Sequence, residues 1–403
     1  MSYTFDYTLT TEAMKYLKVS CNVHNFSKEN EDKYLVSYNK SKTKVDDYNI
    51  DTIGLHRSLI FLNNNLVCFS PPKSSSYDYF CAKYPNLDEN IVTEEFIEGT
   101  MINVYYNNIS KKWEISTKNN IGATNIFYKD MMYTFGYLFY DTCQHIGFNL
   151  EDGLNKKYCY SFVMKHPYNQ MIEIVTHPSL YLIEVYEIER LSETNIKIHI
   201  KNRDEIVGQL SINWDIKSPQ RIYFKEYEDI YFVNLFLSDD PYYIRKCISM
   251  GYVIKNKITG ERTKLRNEEY EYLHKLKGNQ RDFLYRYLEL RQSGRVKELL
   301  KYFPEYYNSV NMYRNTIHTF TENLYLHYIN VNIMRTTSLS NVPYCYKQHV
   351  YKIHGYYLSE KMNDELFKVT RKYVIDYVNN LHSSILMYSL NKYIDMCHSS
   401  GFE

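Results

Sequence analysis

Short apolar runs separated by polar turns fill the chain up to about residue 268, and each such run predicts a β-strand. The clearest runs are 57–69, 99–108, 111–118, 158–166 and 179–188. Within 57–69, asparagines divide two apolar stretches, which indicates a hairpin, and a Thr-Gly turn indicates another within 251–266. A stretch with helical spacing, 129–147, interrupts the strands.

After about residue 268, apolar and charged residues alternate at the spacing of a helix. Leu284, Tyr287, Leu288 and Arg291 follow the i, i+3, i+4, i+7 pattern. Further helices are expected near 311–334 and 359–396. The pattern therefore predicts an α+β protein, with an antiparallel-sheet domain over 1–270 and an all-helical C-terminal domain over 271–403.

Composition narrows the classes of function. The chain has 403 residues, and 48 Lys and Arg against 47 Asp and Glu leave a net charge of +1. A global basic field for nucleic acid is therefore absent, and any such binding needs a local patch. The 45 tyrosines, with only 13 glycines and 9 prolines, are typical of an AT-rich genome and suggest a large DNA virus.

Cysteine spacing and missing motifs exclude several kinds of site. The eight cysteines are scattered without a CxxC pair, which argues against a disulfide scaffold and a zinc knuckle. The sequence contains no HExxH, GxxxxGK[ST] or GxGxxG motif. We therefore expect no metal and no cofactor. Without a signal peptide or a long apolar run, we expect a cytoplasmic protein, or a nuclear one if viral, and no membrane partner.

Five segments stand in an order that resembles a known family. They are 54–80, 93–107, 113–123, 158–185 and 250–274. Together they resemble the phage-type RNA ligase 1 family, within the covalent nucleotidyltransferases. The resemblance covers most of the chain and implies a nucleotidyltransferase-like antiparallel-sheet domain followed by a helical domain. It also implies an RNA end or a nucleotide as the partner.

The family's lysine nucleophile is replaced in this chain. The family motif has the form K-x-D-G, and here the matching stretch reads Phe96-Ile97-Glu98-Gly99. A phenyl ring cannot attack phosphorus, and 93–110 contains no lysine. The resemblance therefore implies a pseudoenzyme with no catalytic residue.

Acidic positions of the family are lost, whereas its cations remain. Ser161 and Met250 stand where the ligases have glutamates, which removes charge that would hold Mg²⁺. Arg57, Lys118, Lys264 and Arg266 match or replace the family's phosphate-binding cations. This selective loss indicates that the chain still binds a nucleotide or an RNA 5′ end.

Three further residues complete the candidate pocket, each with a structural alternative. Phe96 either stacks on a base or fills the space of the lost lysine. Trp113 is a second stacking candidate, although core packing is the commoner role. Glu98 either reads a guanine edge or ends a strand. An aromatic, a carboxylate and cations together would suit an mRNA cap or a 5′-phosphate.

Two other functions stay open. A scaffold protein would use the helical domain to bind a protein partner and keep only a vestigial pocket. A divergent RNA ligase would use a relocated lysine such as Lys73 or Lys118. The cations and aromatics of 275–303 either line an RNA path or form the solvated face of an amphipathic helix.

Overall fold

A computed structural model describes residues 2–6, 21–28, 31–39, 41, 53–126, 132–192, 195–230, 240–362 and 366–399. The chain divides into two compact units, Met1–Lys275 and Leu276–Glu403. The first unit carries the strands and the second consists of helices, so each is described by itself.

Fifteen strands are described in the first unit. They are β1 Ser2–Asp6, β2 Cys21–Asn25, β3 Lys33–Tyr38, β4 Leu59–Leu62, β5 Asn65–Cys68, β6 Ile91–Glu95, β7 Thr100–Asn107, β8 Lys112–Ser116, β9 Tyr158–Lys165, β10 Ser179–Arg190, β11 Asn195–Ile200, β12 Ile216–Lys217, β13 Arg221–Ile222, β14 Gly251–Asn256 and β15 Arg262–Arg266.

These strands form three sheets in the described part of the chain. The largest has the order β1-β11-β10-β9-β7-β8, with β12 added in parallel to β10. The second has the order β13-β6-β14-β15, and the third the order β2-β3-β4-β5. Every other strand pair is antiparallel.

Both predicted hairpins are present. In the first, β4 pairs with β5 across Asn63 and Asn64, which have φ of +46° and +62°. Asparagine tolerates this left-handed backbone better than most residues, so Asn63 and Asn64 turn the chain tightly. In the second, β14 pairs with β15 across a turn that contains Gly260.

The helices of the first unit are short. They are α1 Tyr77–Lys83, α2 Phe135–His145, α3 Leu150–Gly153, α4 Arg203–Leu210 and α5 Pro241–Cys247, and α6 Glu268–Lys277 follows the last strand. The helix predicted over 129–147 corresponds to α2, whose N-cap Thr134 accepts a hydrogen bond from the amide of Tyr137. Residues 129–131 of that prediction lie outside the described residues.

The core of the first unit lies against the largest sheet. One face of α2, with Phe135, Leu138 and Phe139, packs on Phe162 of β9 and Leu182 of β10. These side chains are excluded from water, so their burial supplies most of the driving force for this packing.

The second unit is helical throughout its described residues. Its helices are α7 Phe283–Gln292, α8 Val296–Tyr302, α9 Tyr307–Tyr328, α10 Tyr344–Lys361, α11 Arg371–Asn379 and α12 Ser383–Ser399. Leu284, Tyr287 and Leu288 are buried in its core, as their spacing predicted. The expectation of an α+β protein with antiparallel sheets and a helical C-terminal region is confirmed.

The sequence pattern did not predict helix α10. Helices were expected near 359–396, where the structure has α11 and α12, whereas α10 spans Tyr344–Lys361. Bulky tyrosines all round α10 weaken its amphipathic pattern, so periodicity did not reveal it.

Among the described residues, no helix combines the length and the apolar character that crossing a bilayer requires.

Candidate functional site

The candidate site lies where the end of β6 meets β14 and β15. Because side chains alternate along a strand, Arg262, Lys264 and Arg266 of β15 share one face. Val253 of β14 pairs with Lys264 on one side and with Glu94 of β6 on the other. This pairing brings the residues after β6 next to the cations of β15.

Two glycines make the close approach at this junction possible. The amide of Phe96 donates to the carbonyl of Gly251 over 2.9 Å. Gly251 has a φ of +135°, and a Cβ there would lie 2.1 Å from the carbonyl oxygen of Leu265. Gly99 has a φ of +149°, and its Cβ would lie 2.4 Å from the carbonyl oxygen of Met164. Neither position therefore accepts a larger residue without movement of the backbone.

Phe96 contacts the cations of β15 directly. The Lys264 Nζ lies 4.2 Å from the centroid of the Phe96 ring, and the Arg266 Cζ lies 5.8 Å from it. Both distances are within the range of cation–π attraction. Phe96 is half-buried, so part of the ring remains accessible.

Positive charge exceeds negative charge in this cluster, although Arg262 and Arg266 form ion pairs with Glu184 and Glu271. Burial lowers the pKa of Lys264 well below its ordinary value, and four neighbouring cations lower it further: Arg57, Arg266, Arg262 and Lys73. Burial also lowers the pKa of Arg57. Within the part of the chain that the structure describes, neither Lys264 nor Arg57 forms an ion pair. We call Arg57, Lys73, Arg262, Lys264 and Arg266 the cation cluster.

Lys118 lies at the edge of the same region. Its Nζ is 3.6 Å from the centroid of the Tyr38 ring, and the Lys73 Nζ is 5.9 Å from that centroid. The Tyr38 hydroxyl raises the pKa of Arg57 and partly opposes the effect of burial. Tyr38 therefore connects Lys118 to the cation cluster.

Glu98 has a role inside the fold. Its Oε1 accepts hydrogen bonds from the amides of Met171, Ile172 and Glu173 over 3.2, 2.9 and 3.2 Å. The side chain is buried, which raises its pKa although those amides and Tyr270 act in the opposite direction. The carboxylate therefore holds 171–173 beside the strand end.

Trp113 is a residue of the core. It is 9% exposed and lies in the apolar cluster of the largest sheet, with its ring centroid 5.4 Å from that of Tyr106 and 6.2 Å from that of Tyr160. Tyr106 is also its cross-strand partner. These contacts correspond to the core-packing alternative for Trp113.

Ser161 of β9 is an uncharged residue in the interior of the largest sheet. The Ser161 Oγ donates to the Asn103 Oδ1 over 2.9 Å, and both residues are fully buried. In the described residues, no group of three or more His, Cys, Asp and Glu side chains is placed to hold a metal ion.

Glutamates pair with arginines in the segment 275–303 of the second unit. Arg286 and Glu289 form an ion pair at 3.0 Å, and Arg295 and Glu298 form another at 2.6 Å. Such i, i+3 pairs on a helix surface are typical of a solvated face.

The structure thus brings Arg57, Phe96, Lys264 and Arg266 together, with Lys118 at their edge, and places Glu98 and Trp113 in structural roles. Sequence reasoning did not include Arg262 and Tyr38. Arg262 could have been found, because it alternates with Lys264 and Arg266 on β15. Tyr38 could not, because nothing in the sequence pairs β3 with this site.

The fold and the cluster define an α+β protein of antiparallel sheets with a cationic site at a strand end. The chain is similar to solved structures of an RNA ligase from Naegleria gruberi. A mutant form with ATP and Mn matches with a TM-score of 0.37 and 14% identity, over 51% of this chain and 58% of the ligase chain. The ligase with PPi matches with a TM-score of 0.36 and 15% identity, over the same shares.

This chain therefore covers less than two thirds of those ligase chains. Because the TM-scores lie below 0.5, the likeness carries no argument about this protein, and its function is argued from its own residues. No family model and no curated protein matches the sequence.

Proposed function

We propose that this protein binds the 5′-phosphorylated end of an RNA, or a nucleotide, through Arg57, Lys264 and Arg266, without forming a covalent intermediate. The observation that carries the proposal is the half-buried side chain of Lys264, which is surrounded by cations and forms no ion pair with any described residue. Buried charge is costly unless it is neutralised. A bound phosphate would supply the missing negative charge.

The residue types favour a phosphate over other anions. Arginine presents several donors in a planar fork that fits phosphate oxygens, and lysine adds a point charge. The cluster can neutralise a phosphate without a metal ion, which agrees with the loss of the acidic positions at Ser161 and Met250. The half-buried ring of Phe96 would hold the Lys264 amine in place beneath the phosphate.

The absence of covalent chemistry follows from Phe96 in the position of the lysine nucleophile. We therefore expect no labelled protein after incubation with ATP or GTP labelled at the α-phosphate and Mg²⁺. More specifically, we propose a methylated mRNA cap as the ligand. The same proposal includes a role in viral RNA metabolism or translation. Glu98 is assigned no part in reading a base, because backbone amides engage its carboxylate.

One observation favours a second candidate, a divergent ligase. A lysine whose pKa is lowered is a better nucleophile, and Lys264 is the lysine that fits this description best. Its neutral amine would attack the α-phosphorus of ATP, form a phosphorus–nitrogen bond and release diphosphate. The surplus amine proton would pass to solvent. A labelled band that disappears in Lys264→Met would establish this candidate and overturn the proposed non-covalent role.

The experiment that tests the proposal compares ligands that differ in one group. Binding of a 5′-phosphorylated RNA, the same RNA with a 5′-hydroxyl, a methylated cap analogue, ATP and GTP is measured with and without Mg²⁺. We expect the 5′-phosphorylated RNA to bind without Mg²⁺ and at least about tenfold more tightly than the 5′-hydroxyl RNA, as one charge-assisted hydrogen bond contributes about 1.5–3 kcal/mol.

Two matched variants identify the site in that assay. Lys264→Met removes the half-buried amine, whereas Lys112→Met removes an exposed lysine on the edge strand β8. We expect only Lys264→Met to abolish the preference for the 5′-phosphate. If both variants keep the preference, the cation cluster is not the binding site. If no ligand binds at all, a vestigial site and a scaffold role through the helical unit gain support.

Phe96 is tested by a pair of substitutions. Phe96→Ala removes the ring, whereas Phe96→Leu keeps most of the apolar volume but removes the π face. We expect both variants to weaken binding of 5′-phosphorylated RNA, by up to about 1–3 kcal/mol if a base also stacks on the ring. If Phe96→Leu binds as tightly as the unaltered protein, the ring only fills space.

A further inference from the structure

A second cationic cavity lies in the first unit, farther along β14 and β15 than the cation cluster. It has a volume of about 260 Å³. Lys255 and Arg262 form its inner wall and pair with each other in register, two positions before the Val253–Lys264 pair on β15. The lining contains six cations and one carboxylate: Lys201, Arg203, Arg221, Lys255, Lys257, Arg262 and Glu184.

A buried network of ion pairs fixes the inner cations. Glu94 of β6 accepts from Arg203 at 2.7 Å and from Lys255 at 3.1 Å. Glu184 of β10 accepts from Lys255 at 2.6 Å. Since β10 and β14 belong to different sheets, this network joins the two sheets and forms a rigid floor for the cavity.

The positive charge around the cavity exceeds the negative charge that neutralises it. The six cations are shared among four carboxylates, Glu94, Glu184, Glu187 and Asp204. Lys257 forms no ion pair with any described residue. The Nε of Arg203, a residue only 5% exposed, has no hydrogen-bond partner among the described residues. A buried donor left in this state costs free energy.

The start of helix α4 adds to this field. Asn202 and Arg203, its N-cap and first residue, both line the cavity. The Asn202 side chain makes no capping hydrogen bond, so the first amides of the helix have no side-chain acceptor there. The positive end of the helix dipole therefore lies at the cavity together with the six cations, and Asp204 and Glu205 in the first turn offset part of its field.

We propose that this cavity binds a phosphoryl anion, either free diphosphate or the phosphate group of a nucleotide. Its volume is below that of sites for drug-sized molecules and suits a small anion. The cavity is a second site, separate from the cation cluster and independent of the function proposed for that cluster, although Arg262 contributes to both.

The test uses exposed cations, because removal of a buried one would uncover a carboxylate. Lys257→Gln and Arg221→Gln, singly and together, remove two lining charges while Glu94 keeps Arg203 and Lys255. Lys112→Gln on β8 serves as the control. Binding of inorganic diphosphate is measured by calorimetry at low ionic strength, where surface charge is least screened.

We expect the unaltered protein to bind more than one diphosphate, and the double variant to lose one of these sites or to bind there about tenfold or more weakly. Lys264→Met should keep the affected site, because it acts on the cation cluster. If the double variant binds diphosphate with unchanged stoichiometry and affinity, the proposed cavity site is wrong. If the double variant loses diphosphate binding and Lys264→Met has no effect on it, the cavity is a binding site. The function proposed for the cation cluster is then wrong.

The source of the anion is decided by comparison of inorganic phosphate, diphosphate and AMP. If AMP binds more tightly than the other two anions and the double variant loses that binding, the ligand of the cavity is the phosphate group of a nucleotide. If diphosphate binds most tightly of the three and the double variant loses that binding, the ligand is the free anion. If none of the three is affected by the double variant, the cavity does not bind phosphoryl anions.

Discussion

Lys264 is a single residue that destabilises the folded protein, and a bound anion would reverse that effect. Its amine is half-buried, lies on the ring of Phe96 and is surrounded by cations of its own sign. Such a group destabilises the folded protein when it is charged, because both burial and repulsion favour the neutral amine. Residues kept in this condition are typical of sites where stability is exchanged for binding.

The first prediction is that Lys264→Met stabilises the protein while it removes phosphate binding. Relief of the buried charge should raise Tm by about 2–4 °C for each kcal/mol regained. The pKa of Lys264 is lowered from 10.5 in the folded state, so the unfolded state binds more protons between the lowered pKa and about 10.5. The free energy of unfolding should therefore rise with pH in that window.

Lys264→Met should lose this rise, and Lys112→Met should keep it. The measurement is urea unfolding at a series of pH values. A variant less stable than the unaltered protein at neutral pH would show that the amine contributes favourable contacts.

The sequence predicted part of this site. Lys264, Arg266 and Phe96 became candidates through their places in segments that resemble the motifs of a known family. The role of Glu98 was not predictable, because its hydrogen-bond donors are backbone amides 73 to 75 residues later in the chain. Hydrogen bonds of this kind depend on tertiary structure. They cannot be predicted from residue types, because the donors are backbone amides.

At the scale of elements, a layer of charge joins two sheets. Glu94 on β6, Glu184 on β10 and Lys255 on β14 are all buried, although each belongs to a residue type that is normally exposed. The strand pattern predicted β4, β5, β7 to β10, β14 and β15, with the two hairpins, because alternation and turn residues are local signals. It could not predict this layer, because charged residues at alternating positions are normally interpreted as facing water.

The second prediction is that Glu94→Gln strongly destabilises the first unit. Burial alone would raise the pKa of Glu94, but Lys255 and Arg203 overcome that effect and lower it to about 2. Loss of the carboxylate would leave these cations buried without their partner, at a cost of about 3–5 kcal/mol. The measurement is the free energy of unfolding in urea.

The pH dependence of that contribution follows from the same shift. The Glu94 pKa is lowered in the folded state, so its stabilisation is present above about pH 4.5 and is lost as pH falls towards about 2. Glu89→Gln, at an exposed position, should change stability by less than about 0.5 kcal/mol. A similarly small effect of Glu94→Gln would mean that the ion-pair network contributes little.

At the scale of the whole molecule, the two units respond to acid through different groups. In the helical unit, His349 is buried between the Tyr377 hydroxyl at 2.8 Å and the Ser389 hydroxyl at 2.7 Å. Burial, with a smaller contribution from Lys352, lowers the pKa of His349 to about 4. The near-neutral net charge of the chain hides such local differences.

The third prediction is that the helical unit loses stability as pH falls from about 6.5 to about 4. The unfolded state takes up a proton on His349 in this window and the folded state does not, so up to about 3 kcal/mol is lost. His349→Gln keeps hydrogen-bonding groups but does not titrate, and it should remove this pH dependence. The measurement is thermal unfolding followed by far-ultraviolet circular dichroism.

His318→Gln is the control for that experiment, because His318 is exposed on α9. It should leave the loss of stability between pH 6.5 and 4 unchanged. An unaltered pH dependence in His349→Gln would assign the effect to another group.

The position of the two tryptophans has an optical consequence. Trp113 and Trp214 both lie in the first unit, packed in or against the core of the largest sheet, and the sequence contains no others. Indole emission, excited selectively at the red edge of protein absorption, therefore reports on the sheet unit alone. The helical unit contributes no indole emission, although it contributes most of the helical signal in far-ultraviolet circular dichroism. The unaltered chain thus carries its own pair of spectroscopic labels, one for each unit.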